Sequence, residues 1–442
     1  MSGINLLNLW CNCKGNAMKK TFYKEILETT YTITLKNKMK VVLLYKKEFA
    51  FKSCYIVCNF GHFDCINKIK INGKYKKIPW GTAHFLEHRM FSIENQDASD
   101  LLSNLGANSN AYTTYEKTVY YFQTQENFYE CLKIFLKMIS AFTSTPKQIE
   151  NEKQIILQEK KMYEEDPQSI LNSKILKQAY FKHPINKDII GSNKNIRDID
   201  EITLKAVFDK YYDPSNLTLV VSGNINPNTL EKFLNDNLII NRNIFNKKGI
   251  SVKEPNGVKM DFKEFYLPTI SIPRFACLFK LIPEKNKHIK DKDYFCYYFI
   301  LDYLFASSGK LSEKWLKDKI LTNLFDYTVI SNIDLDCIIF YNITDNCKNI
   351  LTKLKEVFNL SYKLSMTETD LNELKKIHYG NTLRVYETES SISSSYVYDM
   401  FTSCNDFFLE IDEVKQINLN DINYAFKKMC NAIMTVVVLK GE

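Results

Sequence analysis

Trp80–Phe91 reads WGTAHFLEHRMF and holds two of the chain's six histidines, His84 and His88, with Glu87 directly before the second. On an α-helix, residues i and i+4 project from one face, so both imidazoles can reach a single ion. Glu87 follows His84 by three positions, shares that side, and is placed to take a proton from a water held there. The spacing is H-x-x-E-H, the zinc-binding helix pattern in inverted order. A second reading stays open on these residues alone: two surface histidines on an amphipathic helix. A catalytic zinc uses three protein ligands and keeps a fourth position for water, so a third donor must come from elsewhere.

Outward from this stretch, helical periodicity covers Gly81–Leu105, and alternation rich in Thr and Tyr covers Ala107–Gln125. Upstream, Thr30–Tyr45 and Phe51–Phe60 are strand-like, with a Lys/Asn-rich loop before Gly81. Downstream, helices are expected over Asn127–Phe142 and from Pro146, where Thr145 is the N-cap and Gln148 completes a capping box. Pro167 ends or kinks that helix, and another runs to Phe181. In ENEKQIILQEKKMYEE (Glu150–Glu165), Glu152 and Glu159 stand seven apart, two helical turns, on one face. Ile155, Ile156 and Met162 lie beside them. Either the carboxylates are drawn inward, or the helix is an ordinary charged one.

The two halves close alike. A helix at Ile202–Tyr212 leads into the strand Leu217–Ile225, and one at Ile417–Met429 leads into Ile433–Glu442. This long-period likeness, with 442 residues against about 150 per domain, argues for an α+β chain of two duplicated domains, the other reading being two unrelated halves that each end in an antiparallel strand. Each is expected to be a mainly antiparallel β-sheet covered by helices on one face. The expected divisions are a tail at 1–20, a first domain at 21–238, a linker at 239–261 and a second domain at 262–442.

The net charge of 59 − 51 = +8 is spread in mixed runs, without the basic clusters and aromatic platforms that nucleic-acid binding needs. No apolar run approaches the ~20 residues that span a bilayer. Neither nucleic acid nor membrane is therefore an expected partner. Twelve irregularly spaced cysteines read as reduced, buried thiols, so the expected localisation is cytoplasmic. The apolar patch Ile4–Trp10 has no basic residues ahead of it and makes a poor export signal.

On these motifs the chain resembles the M16 (pitrilysin-like, inverzincin) metallopeptidases, which include the mitochondrial processing peptidase. The signature is Gly81–His88 followed by Phe91. GANSNAYTTYEKTVYY (Gly106–Tyr121) resembles the family's edge-strand segment, and ENEKQIILQE (Glu150–Glu159) its downstream glutamate helix. HPINKDIIGS and YYDPSNLTLVVSGNI match two later landmarks. The likeness covers residues 30–240 well and the later half only in pattern. It is greatest to the compact bacterial members, whose fold is one two-domain half of a clamshell.

The resemblance implies one Zn2+ per chain on His84, His88 and Glu159, with Glu87 as general base and Glu152 as the carboxylate supporting catalysis. His88 to Glu159 is 71 residues, a little short of the family separation, and the shortening falls around Ser92–Ser99. Glu164 and Glu165 would restore the count but lie beyond the matching residues. Asn110, Ala111 and Tyr112 would bind substrate backbone by strand addition. Of the family's Arg and Tyr, seven apart, Tyr327 matches the Tyr, whereas the Arg position holds Ile320; of the nearby Lys319 and Lys317, either Lys317 would bind substrate in its place or another residue or subunit supplies the cation. The implied activity is a zinc metalloendopeptidase that cuts peptides or unfolded segments inside a closed chamber, as in peptide processing or maturation. The chamber would be closed by a homodimer or by a heterodimer with another half-shell. The alternatives are a non-catalytic interaction subunit of an M16 heterodimer, and a metal-dependent hydrolase of a non-peptide substrate.

Overall fold

Leu217–Gly223 (LTLVVSG) runs through an eight-stranded sheet, parallel to Lys40–Tyr45 on one side and antiparallel to Lys52–Cys58 on the other. Its run of apolar and β-branched side chains suits a strand buried on both faces. A five-stranded sheet repeats the arrangement. There Ile433–Lys440 lies between Phe262–Tyr266, in parallel, and Arg274–Lys280, antiparallel. Both sheets then continue in one order. The first goes from Lys52–Cys58 to Thr118–Thr124 and the edge strand Asn108–Thr113; the second goes from Arg274–Lys280 to Leu335–Ile343 and Asp326–Asn332. The repeated order makes the chain an α+β protein of two duplicated domains, as expected.

The computed structural model describes residues 9–10, 18–24, 26–93, 96–238, 252–282, 291–332, 335–400 and 407–441. They fall into two units, one within 1–160, 188–250 and 383–398, the other within 161–187, 251–382 and 399–442. Among the described residues no helix is long and apolar enough to cross a membrane.

In the first unit the main helical layer includes Thr82–Met90, Phe128–Ser140 and Glu201–Tyr211. Phe122 of the sheet meets Phe135 edge-on at 4.9 Å between ring centroids. The opposite face takes a helix from late in the chain, Glu389–Asp399: Ser393 Oγ lies 2.9 Å from Ser53 Oγ, which lies 2.9 Å from Ser222 Oγ. The second unit reciprocates with Pro167–Ala179, whose end places Gln178 Nε2 2.7 Å from Thr435 Oγ1 and 3.0 Å from the Val436 carbonyl. Each sheet is thus backed by a helix from the other half of the sequence.

Local signals fare unevenly. The capping box at Thr145 is present, with Thr145 N–H donating to Gln148 Oε1 at 2.9 Å and Gln148 N–H to Thr145 Oγ1 at 3.3 Å. Pro167 opens a new helix, capped by Asp166 through the Ser169 N–H at 2.7 Å. The periodicity over Gly81–Leu105 is not one helix. Thr82–Met90 ends at Phe91, the short strands Ser92–Ile93 and Gln96–Asp97 pair, and Ala98–Ser103 follows. The Lys/Asn-rich segment is not a plain loop but a hairpin, Lys68–Ile71 with Lys74–Lys77. Within the expected tail, Leu9–Trp10 pair with Lys19–Lys20 at the outer edge of the sheet. Of the expected linker, 239–251 lies outside the described residues. Glu254 is held fast, accepting the N–H groups of Phe181, Lys182 and His183 at 2.8–2.9 Å and Lys280 Nζ at 2.9 Å.

Candidate active site

Gly81 opens the motif helix with φ +92°, a conformation that costs any L-residue with a Cβ. A Cβ there would also sit 2.5 Å from the Ile190 carbonyl oxygen, so the helix starts hard against the Ile190–Gly191 backbone. Thr82 Oγ1 donates to the Pro79 carbonyl at 2.7 Å. Phe85, Leu86 and Met90 bury one side of Thr82–Met90 in the core, which turns His84, Glu87 and His88 to the other. The two imidazole centroids are 4.7 Å apart.

The helix Pro146–Glu165 brings up the carboxylates. Ile149 and Ile156 bury its inner face, and Glu152 is buried with them. One turn beyond Ile156, Glu159 faces the imidazoles. Its Oε1 is 3.5 Å from His84 Nε2 and its Oε2 3.4 Å from His88 Nε2. Two donors bound to one zinc at ~2.1 Å with a tetrahedral angle between them stand about 3.4 Å apart. The three ligand atoms lie within 4.8 Å of one another, and Glu159 Oε2 is buried without a hydrogen bond. Two neutral-capable nitrogens and one carboxylate at this separation fit a divalent zinc-like cation.

Behind the cluster, His88 Nδ1 is 2.9 Å from Glu152 Oε1, which leaves Nε2 as the free ring nitrogen facing Glu159. Arg89 Nη1 donates to Glu152 Oε2 at 2.9 Å, and Arg89 Nε to Ser144 Oγ at 3.1 Å. Burial opposes charge on His88, yet the neighbouring Glu152 and Glu159 carboxylates and the Glu87 charge outweigh it, so the ring is pushed up to about 10 without an ion. Burial likewise works against ionised Glu152 and Glu159. His88 and Arg89 outweigh it for Glu152, and the two histidines for Glu159, so both stay below the usual carboxylate range.

Glu87 is oriented separately: Thr113 Oγ1 donates to its Oε2 at 2.7 Å. Thr113 ends the edge strand Asn108–Thr113, which pairs on one side only among the described residues and also carries Asn110, Ala111 and Tyr112. The exposed Asn110 uses its Oδ1 to accept the Ala111 N–H at 2.8 Å. Arg89, Ser144 and Thr113 are residues the sequence reading passed over. Arg89 directly follows His88, but nothing local marks its partners.

Tyr327 and Lys317 belong to the second unit. Tyr327, on Asp326–Asn332, donates its hydroxyl to Asp302 Oδ1 at 2.6 Å, and burial together with that carboxylate raises it above the usual phenol range. Lys317 ends the short helix Ser312–Lys317, exposed and paired with Glu313 at 2.5 Å.

Comparison with known proteins meets this geometry. Residues 76–193 match the model of insulinase (peptidase family M16), and 198–377 match that of the peptidase M16 inactive domain. The uncharacterized zinc protease YmfH of Bacillus subtilis is 30% identical over 222 residues, 50% of this chain and 51% of that protein. The mitochondrial-processing peptidase subunit beta of Neurospora crassa is 31% identical over 150 residues, 33% of this chain and 32% of that one. The chain thus spans about half the length of the first curated relative and about a third of the second. In fold it is similar to an M16-like peptidase from Alicyclobacillus acidocaldarius, at TM-score 0.84 and 21% identity over 95% of this chain and 100% of that one. A peptidase M16 inactive domain from Pseudomonas fluorescens follows at TM-score 0.78 and 15% identity, covering 93% and 98%. With both family models matched in order along the sequence and the same fold beneath them, the chain belongs to peptidase family M16, the pitrilysin-like group.

Proposed function

We propose that the chain is a zinc-dependent endopeptidase acting on extended peptides or unfolded segments. The observation that carries this reading is the convergence of His84, His88 and Glu159 at the separation of ligands on one ion, with Glu87 beside them. Zinc held there supplies Lewis acidity toward the scissile carbonyl and lowers the pKa of water.

The chain's residues have separable tasks. Glu152 keeps the Nδ1 proton of His88 in place, so that Nε2 offers its lone pair. Glu87 takes a proton from the attacking water and returns it to the leaving nitrogen. Thr113 holds one Glu87 oxygen and leaves the other to work. The open edge of Asn108–Thr113 binds the peptide backbone as an added strand, Ala111 N–H exchanging its Asn110 partner for a substrate carbonyl. Tyr327, released from Asp302, would donate to the developing oxyanion, and Lys317, released from Glu313, is the candidate cation for the substrate. The chamber would be completed by a second half-shell, from another copy or a relative. The nine described cysteines form no disulfide among the described residues and eight of them are buried, which supports a reducing, cytoplasmic setting.

The deciding experiment pairs metal analysis with hydrolysis of a quenched-fluorescence peptide library by wild type and Glu87→Gln. One zinc per chain in both, with turnover only in wild type, is expected. Equal turnover in both, or no bound metal, overturns the reading.

A further inference from the structure

Between Asp64 and Glu87 lie five lysines, Lys68, Lys70, Lys74, Lys76 and Lys77, and no acidic residue. The lysines are gathered on the hairpin Lys68–Ile71/Lys74–Lys77. Asn72 and Gly73 close it with φ of 48° and 79°, as a tight primed turn requires. Ile69 and Ile71, 2% and 5% exposed, root it in the hydrophobic core.

Register places Lys68 opposite Lys77 and Lys70 opposite Tyr75, so these four share the face turned away from the two isoleucines. All five lysines are exposed, and Tyr75 is 71% exposed. None of the five lysine side chains makes an ion pair or hydrogen bond among the described residues. Like charges directly across a ladder are destabilising. Here the turn and the buried anchors hold them together without any counter-charge.

We propose that this hairpin is a docking surface for an acidic polypeptide segment, carried by the peptide that the active site cuts. The inference rests on the peptidase reading above. Lys77 precedes His84 by seven residues, so their Cα atoms are at most ~25 Å apart, about seven residues of extended peptide. A substrate held at both places therefore carries its acidic residues close to the scissile bond. Single-stranded nucleic acid needs a tracking groove with several stacking rings, and the hairpin exposes one. An interfacial membrane anchor needs apolar side chains to insert, and both isoleucines point inward.

The test uses two fluorescein-labelled peptides of equal length, one bearing a run of Glu and the other Gln at the same positions. Anisotropy is read on the full chain carrying Glu87→Gln, so that nothing is turned over. The Glu peptide is expected to bind on the order of tenfold more tightly at low ionic strength, with the advantage fading as salt rises. K68Q/K70Q/K77Q should abolish that advantage while melting at or above the parent temperature, because it removes repulsion. Equal affinity for the two peptides, or a preference the triple variant keeps, overturns the proposal. So does tighter binding of duplex DNA or phosphatidylglycerol vesicles that the triple variant loses. Cleavage by the chain with Glu87 intact separates the two readings. If neither peptide is cut while charge-dependent binding persists, the peptidase reading falls and the docking surface stands.

Discussion

His88 Nδ1 and Glu152 Oε1 are 2.9 Å apart, and the other oxygen of that carboxylate receives Arg89 at 2.9 Å. The carboxylate is thus fixed from one side and fixes the ring on the other. Glu152→Ala frees the imidazole to rotate and leaves Arg89 without its carboxylate, held only by Ser144, and should weaken zinc binding by 10- to 100-fold, the range typical of such supporting partners. Glu152→Gln keeps an acceptor for Nδ1 but turns an amide toward Arg89, and should fall between. Titration against a competing chelator reads both. Unchanged affinity in the alanine variant would mean that core packing alone holds the ring.

Thr113 makes a different case, because it touches the proposed base and not the metal ligands. Thr113→Val keeps shape and strand propensity while removing the donor to Glu87. The expected result is a fall in kcat on the order of tenfold with KM and zinc content unchanged, a fraction of what general-base catalysis supplies. Thr113→Ser, which restores the hydroxyl, should recover most of it. A loss mainly in KM would assign Thr113 to the substrate edge.

The same contrast explains what could be read from sequence. His84, Glu87 and His88 were legible as one face because helical spacing alone aligns them, whereas only the family resemblance singles out Glu159, since a carboxylate two turns from Glu152 also suits an ordinary charged helix. The orienting bonds were not legible. Arg89 reaches Glu152 across 63 residues and Ser144 across 55, and Thr113 reaches Glu87 across 26, distances over which periodicity carries no information. The duplicated sheets could be anticipated from the two closing helix–strand pairs. The exchanged helices could not: burial of Ser53 against Ser393 is a tertiary fact that polar side chains conceal. The lysine hairpin was hidden by composition, since Asn72-Gly73 directly after the alternating Ile69 and Ile71 is a turn signal that the surrounding charge disguises as loop.

Gly81 should tolerate no side chain. Gly81→Ala combines a left-handed φ of 92° with a contact of 2.5 Å on the Ile190 carbonyl, neither of which a rotamer change relieves. A destabilisation of about 1–3 kcal/mol is expected from the backbone strain alone, and the contact adds to it. Urea denaturation measures it. Zinc binding should weaken as well, since the start of the His84 helix must move. A variant as stable as wild type would show that the Ile190–Gly191 segment can yield.

His183 gives the second unit an acid-sensitive point. It is 2% exposed, accepts the Ile185 N–H on Nδ1 at 3.2 Å, and lies near Glu254 and Lys280. Burial lowers its pKa most; Glu254 works the other way and Lys280 adds to the lowering, leaving it at about 4 against an ordinary 6.5. The unfolded chain therefore binds more protons than the folded one between those values, and stability rises with pH across that window. The contribution is complete above about pH 6.5, falls as pH drops, and levels off below about 4, a span on the order of 3 kcal/mol. His183→Asn keeps an acceptor for Ile185 but does not titrate. Its stability at neutral pH should be lower because the ring is lost, yet this part of the slope should vanish. Denaturation midpoints at pH 4.5–7.5 (roughly the titration window) compare the two chains, and parallel profiles would place the acid sensitivity elsewhere.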